Sequence, residues 1–555
     1  MTLDAYTHRM RALLVQAATP ISYWGYQHSL PFIKKGATLP PLGLATLAAH
    51  LPETWELRLR DLHLAPLDDA DLRWADAVLV SGMLVQAPSI RDVLARARGL
   101  GKPTVVGGPA ATTSPEAFPE ATWVFRGEAE GRLDRLVQAL ERPGAVADRV
   151  VSPPGLDRPD LALARVPRFD LCALDRYATF AIQVSRGCPF SCEFCDIIEI
   201  FGRKPRVKAA AQVIAELDEL RRLGAQGPLF LVDDNFIGNR KAIAKILAEV
   251  AAWQRANGRP FDLHTEASLD LATEPELLAA MVEAGFSAVF VGIETPNPAS
   301  LAEAQKNQNL RTDPAEAVRT LARAGLEVFA GFIVGFDADD ETIFDRQLEF
   351  ISSLPIPRAM VGILSALPGT QLWRRLEKEG RLRSDPSGDQ FDRTNFETAM
   401  PEETLIAGYR RLLASLYSEE GYFARCERQL RESPSYTVAL RRGSFATLVR
   451  AVLRIGILGE RRRWFWRLVR QALRIGGIPA LSKAVTLSIL AEHLVRYTRE
   501  DVLPRLDARL AEMRGGRGDA PTLTRSRPAP DAALAPPEPA PPPAPLVRAA
   551  ASLGP

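Results

Sequence analysis

The tightest constraint in the chain is the spacing of three cysteines. Cys188, Cys192 and Cys195 stand in a C-x-x-x-C-x-x-C pattern within RGCPFSCEFC, directly after the apolar run at 180–184. A strand that feeds a loop of three soft thiolates is a place to hold metal, because such ligands suit iron-sulfur clusters, zinc or copper(I). Counting separates these options. A closed structural zinc site takes four ligands, and the two remaining cysteines, Cys172 and Cys426, are isolated in sequence. A cubane 4Fe-4S cluster on three thiolates keeps one iron open for a small ligand. The competing readings are a zinc site completed by a distant ligand and a redox pair.

Five cysteines, three of them in one loop, do not make a disulfide framework. A cluster of this kind needs a reducing compartment, so the cytoplasm is expected. With 555 residues the chain exceeds one ordinary domain and fits about three or four units. A net charge of +2 with 25% charged residues carries no global nucleic-acid signature. Residues 1–11 mix acidic, basic and polar types, which does not read as a signal peptide. No run of about eighteen uncharged apolar residues marks a spanning helix.

Strand-like and helix-like patterns alternate twice over. In residues 11–140, strands are expected at 12–17, 56–60, 77–81 and 104–106, with helices at 42–51, 89–98 and 131–140. That is an open parallel sheet, which binds ligands beyond the carboxyl ends of its strands. Ser81-Gly82, Gly107-Gly108-Pro109 and Arg126-Gly127-Glu128 stand at those ends. A second series has strands at 180–185, 228–232, 261–265, 288–292, 327–334 and 359–364. The helical segments between them are long enough for parallel crossovers, so six units make a partial barrel. Reactive groups of such barrels sit at the carboxyl ends of the strands. There the chain has Asp233-Asp234-Asn235, Glu266, Glu294-Thr295 and GFIVGFD at 331–337, with Gly331 and Gly335. Such carboxylates can accept from an ammonium or from hydroxyl groups, and glycine admits a flat group beside the backbone.

The cysteine spacing, with Phe194 just before the last cysteine, resembles the signature of the radical SAM superfamily. The resemblance implies that Cys188, Cys192 and Cys195 bind a 4Fe-4S cluster whose open iron chelates S-adenosylmethionine (SAM). An electron from that cluster cleaves SAM to a 5'-deoxyadenosyl radical in the family. VDDNF at 232–236, GIET at 292–295 and GFIVGFD resemble the SAM-contacting strand ends, which implies Phe194, Asp233, Asp234, Glu294, Gly331 and Gly335 as cofactor contacts. Asp233-Asp234-Asn235 replaces the family's usual glycine-glycine-glutamate turn.

Further upstream, VGGP at 106–109, Pro115-Glu116 and GEAE at 127–130 resemble the cobalamin-binding domain of the cobalamin-dependent radical SAM enzymes, and TLPPLGLATLAA at 38–49 resembles its opening. By that resemblance Ser81, Gly82, Gly107, Gly108, Pro109, Gly127 and Glu128 contact cobalamin. Asp61-Leu62-His63 is followed by Pro66 where the histidine-ligand motif D-x-H-x-x-G has glycine, so His63 is not expected to be the lower ligand. The aromatic group Tyr23, Trp24 and Tyr26 fits either a lid over a planar ligand or core packing. DIIEIFGRKPR at 196–206 also resembles one branch of the family, and its Arg203, Lys204 and Arg206 are expected to form a solvated face.

Three C-terminal stretches, at 366–382, 394–401 and 408–426, resemble the DUF4070-type extension of that branch, which includes the hopanoid C-2 methylase. The layout expected is a Rossmann-like cobalamin-binding domain at 1–145, a linker at 146–176 and a partial (β/α)6 radical SAM barrel at 177–370. A mainly helical extension at 371–514 and a Pro/Ala-rich disordered tail at 515–555 complete this α/β chain. Residues 441–474 carry ten arginines against one acid, interleaved with apolar and aromatic residues. They read as an amphipathic helix pair on the inner face of an anionic membrane, or as a helical cap packed on the barrel.

The function implied is cobalamin-dependent methylation of an unactivated carbon in a small-molecule or lipid substrate of hopanoid type, with a reducing partner such as flavodoxin or ferredoxin. Two alternatives use the same parts: rearrangement or oxidation without methyl transfer, and a cobalamin or redox sensor without catalysis.

Overall fold

Four short strands rich in Val, Leu and Ala and a two-residue fifth build the N-terminal sheet. The computed structural model describes residues 9–142, 144–152, 158–433 and 444–515. Strands β1 (Arg11–Gln16), β2 (Glu56–Asp61), β3 (Ala77–Ser81), β4 (Thr104–Gly107) and β5 (Trp123–Val124) form a parallel sheet in the order β2-β1-β3-β4-β5. Both faces of β1 are covered: Leu13 and Val15 join one apolar cluster while Ala12 and Leu14 join others. This explains a near-continuous hydrophobic run where an exposed sheet would alternate. The strand order reverses between β1 and β3, the position where doubly wound sheets open a crevice. Register sets Gln16 beside Ser81 and Ser81 beside Gly107 along that edge.

The second sheet is formed by β6 (Phe180–Ile182), β9 (Gly227–Leu231), β10 (Phe261–Ala267), β11 (Phe286–Glu294), β12 (Glu327–Val334) and β13 (Ala359–Ile363). They lie in sequential order and all are parallel. The first strand stops earlier than the apolar run implies. Both oxygens of Asp233 draw the chain aside, accepting from Val184 N at 2.8 Å and from Ser185 N and Oγ at 2.7 Å. The displaced residues pair as β7 (Ser185–Arg186) with β8 (Arg206–Val207) in an antiparallel ladder that brackets the cysteine loop.

Helices Gln371–Lys378, Glu402–Leu416, Glu419–Glu432, Ser444–Ala451, Arg462–Tyr497 and Leu503–Gly515 follow the barrel. The inner faces of Glu402–Leu416, Glu419–Glu432, Arg462–Tyr497 and Leu503–Gly515 share one apolar core with it, while Gln371–Lys378 and Ser444–Ala451 pack into smaller clusters. An edge strand leaves a row of carbonyls without partners, and here Tyr409 Oη donates to Val361 O at 2.7 Å and Tyr417 Oη to Ala359 O at 2.6 Å. The cap therefore finishes the edge of the sheet. The long helix is broken at Gly476 and Gly477, the latter with φ +62°, just before Pro479. By length and composition the run Arg462–Gly515 is apolar enough to cross a membrane, but 56% of its most apolar window is buried within the molecule. Arg441 and Arg442, and the tail expected beyond Gly515, lie outside the described residues.

Candidate functional site

The crevice of the first sheet and the interior of the partial barrel open into one cavity of about 2260 Å³. Ordinary ligand pockets hold roughly 300–1,000 Å³, so there is room for more than one molecule. Strand period sets its walls. Alternate residues Asp262, His264 and Glu266 of β10, with Phe230, Phe290, Phe329 and Arg358, face inward from the barrel. Thr19, Ser81, Gly82 and Pro109 face it from the switch point, and Asp196 and Ile197 from the end of the cysteine loop. Trp24 closes it with its edge on Phe290, ring centres 5.4 Å apart, and Tyr26 lines it too. Tyr23 instead packs in the core against Tyr417 and Tyr497. The aromatic group thus divides between a lid and the core.

All three thiols of the cysteine loop are free and half-buried. They act on one another electrostatically, and burial pushes both the Cys188 and the Cys195 thiol up. Among the described residues no three ligating side chains are gathered into a metal site. The donor set itself fits an iron-sulfur cluster. Asn235 Nδ2 lies 3.8 Å from Cys188 Sγ and Gln308 Nε2 lies 3.5 Å from Cys192 Sγ, and amide hydrogen bonds to sulfur are a standard means of tuning such clusters. Phe194 packs edge-on against Phe336 at 6.3 Å, behind the loop and away from the cavity wall.

The carboxylates that follow the strands divide by environment. Asp233 is only 1% exposed and is occupied as the strut described above. Asp234 reaches the cavity, accepting from Gly187 N at 3.0 Å. Burial pushes Asp234 up to about 7 and Glu266 up to about 8, with the nearby aspartates adding to the rise. Glu266 has no side-chain partner among the described residues, so a cation or hydroxyl group entering the cavity meets an available acceptor. His264, stacked on Phe230 with ring centres 4.9 Å apart, is held neutral by burial, its pKa lowered to about 3.

Glu294 sits at a bulge in β11 with φ +68° and pairs with Lys306. A bulge re-aims a side chain, and here it turns Glu294 toward the lysine that interacts with Cys192 and Cys195. Gly331 is where a Cβ would come within 2.9 Å of the Phe290 ring, so that wall depends on its being bare. Gly335, with φ +99°, donates its N–H to Asp339 at 3.0 Å.

On the sheet side, Gly108 has φ +88°, and a Cβ there would lie 2.4 Å from Ser81 Oγ. This close approach keeps Ser81, Gly82 and Pro109 along the cavity wall, a bare rim suited to a large planar group. Gln86 straps the crevice, donating to Ala17 O and accepting from Met83 N. Both nitrogens of His63 are engaged, Nδ1 with Asp61 at 2.6 Å and Nε2 with Thr19 N at 3.0 Å.

Gly127 N donates to Thr112 Oγ1 at 3.0 Å, one strand removed from the crevice. Glu128 is buried away from the cavity and bonds Arg186 at 2.6 Å and Arg206 at 2.7 Å, while Glu130 bonds Arg186 at 2.7 Å. Arg206 is therefore part of a buried ion network, which corrects its expected place on a solvated face. Arg203 and Lys204 are exposed.

Comparison with known proteins sets these parts in a family. The radical SAM superfamily pattern matches residues 182–350, the B12 binding domain matches 31–137 and a domain of unknown function, DUF4070, matches 370–503. The chain is 35% identical over 492 residues to the hopanoid C-2 methylase of Rhodopseudomonas palustris, covering 86% of this chain and 92% of that one. It belongs to the cobalamin-dependent radical SAM enzymes.

An uncharacterized methyltransferase of Synechocystis sp. is 38% identical over 513 residues, covering 91% of this chain and 94% of the relative. Among solved structures, the cobalamin-dependent SAM radical enzyme OxsB has a TM-score of 0.57 at 16% identity, covering 93% of this chain and 85% of its own. TsrM from Kitasatospora setae, a radical SAM methyltransferase, has a TM-score of 0.55 at 17% identity, covering 68% and 80%. As a cobalamin-dependent radical SAM enzyme, this protein takes a 4Fe-4S cluster, SAM and cobalamin. Sequence reasoning missed Lys306 and Gln308, which come from a polar turn with no motif. Arg186 was visible within the cysteine motif, but its two acidic partners lie more than fifty residues upstream.

Proposed function

We propose that this enzyme transfers a methyl group to an unactivated carbon of a hopanoid-type lipid. The single observation that supports this most is the continuous, largely apolar cavity between the cysteine loop and the crevice of the first sheet. The relatedness to a hopanoid C-2 methylase over most of both chains points the same way. When bound, the cluster supplies the electron that cleaves SAM and cobalamin carries the methyl group.

The protein's own part is to hold and exclude. Cys188, Cys192 and Cys195 ligate the cluster, with Asn235 and Gln308 donating to sulfur. Asp234 and Glu266 accept from the SAM ammonium and hydroxyls, and Glu294 fixes Lys306 beside the cysteines. Ser81, Gly82, Gly107, Gly108 and Pro109 form the cobalamin rim. Phe290, Phe329 and Trp24 shield the reacting carbon from water, the role expected of a scaffold around cofactor chemistry. The cluster would take its electron from a one-electron donor of the flavodoxin or ferredoxin type, in the cytoplasm at the inner face of the membrane.

The test is anaerobically reconstituted enzyme with SAM labelled in its methyl group and a hopanoid acceptor. Labelled product is expected, and Cys192→Ala should abolish 5'-deoxyadenosine formation. Formation of 5'-deoxyadenosine and product with no label in the product would replace methyl transfer by rearrangement or oxidation.

A further inference from the structure

Between residues 445 and 478 the cap shows solvent an unusual concentration of large apolar side chains. Phe445 is 77% exposed, Leu458 79% and Ile478 61%, and Leu453, Ile457, Trp466 and Leu473 are exposed with them. Monomeric proteins rarely leave such apolar surface contiguous without a use for it. The helix Ser444–Ala451, the turns Val452–Ile457 and the start of Arg462–Tyr497 adjoin one another. Trp466 Nε1 donates to Gly456 O at 2.9 Å, which sets the exposed Trp466 beside the exposed Ile457.

Charge on the same stretch is of one sign except for Glu460, which pairs with Arg499. Arg463 and Arg467 are drawn toward Glu420 and Glu427 of the cap, and Arg461 is buried against Glu492. Arg454, Arg462, Arg470 and Arg474 are exposed and carry no ion pair among the described residues. At helical spacing, Arg462, Trp466, Arg470 and Leu473 share one face of the long helix. An apolar strip edged by unpaired arginines matches the boundary of an anionic bilayer, where apolar groups enter the acyl region and guanidiniums stay among the phosphates.

The strip also continues into the reaction chamber. Phe445 and Ile478 are both solvent-exposed and part of the cavity lining, which half-buried Leu448 and Leu481 and buried Val485 continue inward. We propose that residues 445–478 dock the enzyme on an anionic phospholipid surface and place the cavity mouth against it, so that an apolar substrate passes from the bilayer into the chamber without crossing water. The docking stands on the surface alone; the passage of substrate rests on the lipid reading given above.

The experiment is flotation of the full chain with vesicles of phosphatidylcholine, with and without phosphatidylglycerol. Wild-type protein should float with the anionic vesicles and dissociate as salt rises. Leu453→Asp with Leu458→Asp, and separately Arg462→Glu, Arg470→Glu and Arg474→Glu together, should each lower the bound fraction about tenfold. Both variants should retain SAM cleavage with a soluble reductant, since none of these residues lines the chamber. No flotation of the wild type, equal flotation on neutral vesicles, or unchanged flotation of both variants overturns the proposal. Concentration-dependent dimerisation abolished by the leucine substitutions would overturn it in favour of a second copy as the occupant. Flotation without methyl transfer to any lipid would leave the docking standing and sink the substrate reading instead.

Discussion

Glu266 shows how a single side chain records the chemistry of its surroundings. Burial, then Asp234 and Asp233, push its carboxyl up to about 8, well above the unfolded value of about 4.3. A carboxyl raised in this way favours the folded state fully below its unfolded pKa, and that contribution is lost as the pH rises through the folded value. Stability of the chain without SAM should therefore decline between about pH 5 and pH 8. Glu266→Gln should match wild type at the acidic end and exceed it by at least about 1.4 kcal/mol above pH 8, one pKa unit's worth. Urea unfolding across that range checks it; parallel curves for the two proteins would refute the assignment. Asp233 and Asp234, raised to about 6 and about 7 by burial, leave a residual slope of the same sign. Residue type and strand-end position made all three carboxylates legible in the sequence. Which one turns outward was not legible, because Asp233 is consumed by backbone donors of a neighbouring strand.

At the scale of elements, hydrophobic period located every strand of both sheets except the two-residue ones. β5, β7 and β8 are too short to show a period, and β7 separates from β6 only because Asp233 pulls the chain aside. The bulge before Glu294 was equally hidden, since a register shift lies in the pairing of two strands and not in either one alone. The turn after β4 was visible as a double glycine, and its geometry makes a sharp prediction. Gly108→Ala puts a methyl group 2.4 Å from Ser81 Oγ at φ +88°, a conformation that costs an L-residue about 1–2 kcal/mol before any clash. Cobalamin retained after reconstitution, read from its visible absorption, should fall about tenfold. Iron content should stay at the wild-type level, because the cysteine loop is held between β7 and β8, outside the first sheet. Equal loss of both would mean that the substitution unfolds the chain rather than spoiling the rim.

For the molecule as a whole, composition and family resemblance outlined the cap, but the way it finishes the barrel edge emerged only from the tertiary structure. The same is true of the bond between the two sheets. Arg186, Glu128, Glu130 and Arg206 come together from positions that no local pattern connects, with side chains 1–15% exposed. Burial raises the Glu130 carboxyl, yet the Arg186 guanidinium more than offsets it and holds the group below its usual range. Removing one member of such a buried set typically costs about 3–5 kcal/mol, because the rest stay behind as unpaired charge. Arg186→Met should lower unfolding stability by that amount, mainly through the orphaned Glu130, and adding Glu130→Gln should recover part of it, since Glu128 keeps its pairing with Arg206. A loss below about 1 kcal/mol, the range of exposed pairs, would show that water reaches the network.

This network has a consequence for how such proteins can diversify. The arginine that anchors it lies two positions before Cys188, and its acidic partners lie in the loop that ends the other cofactor's sheet. A recombinant that took one half from a distant relative would bring half of a charge lattice and bury it without its complement. In this chain the corrin carrier and the cluster loop are thus a matched pair, which leaves the walls of the chamber and its mouth freer to change.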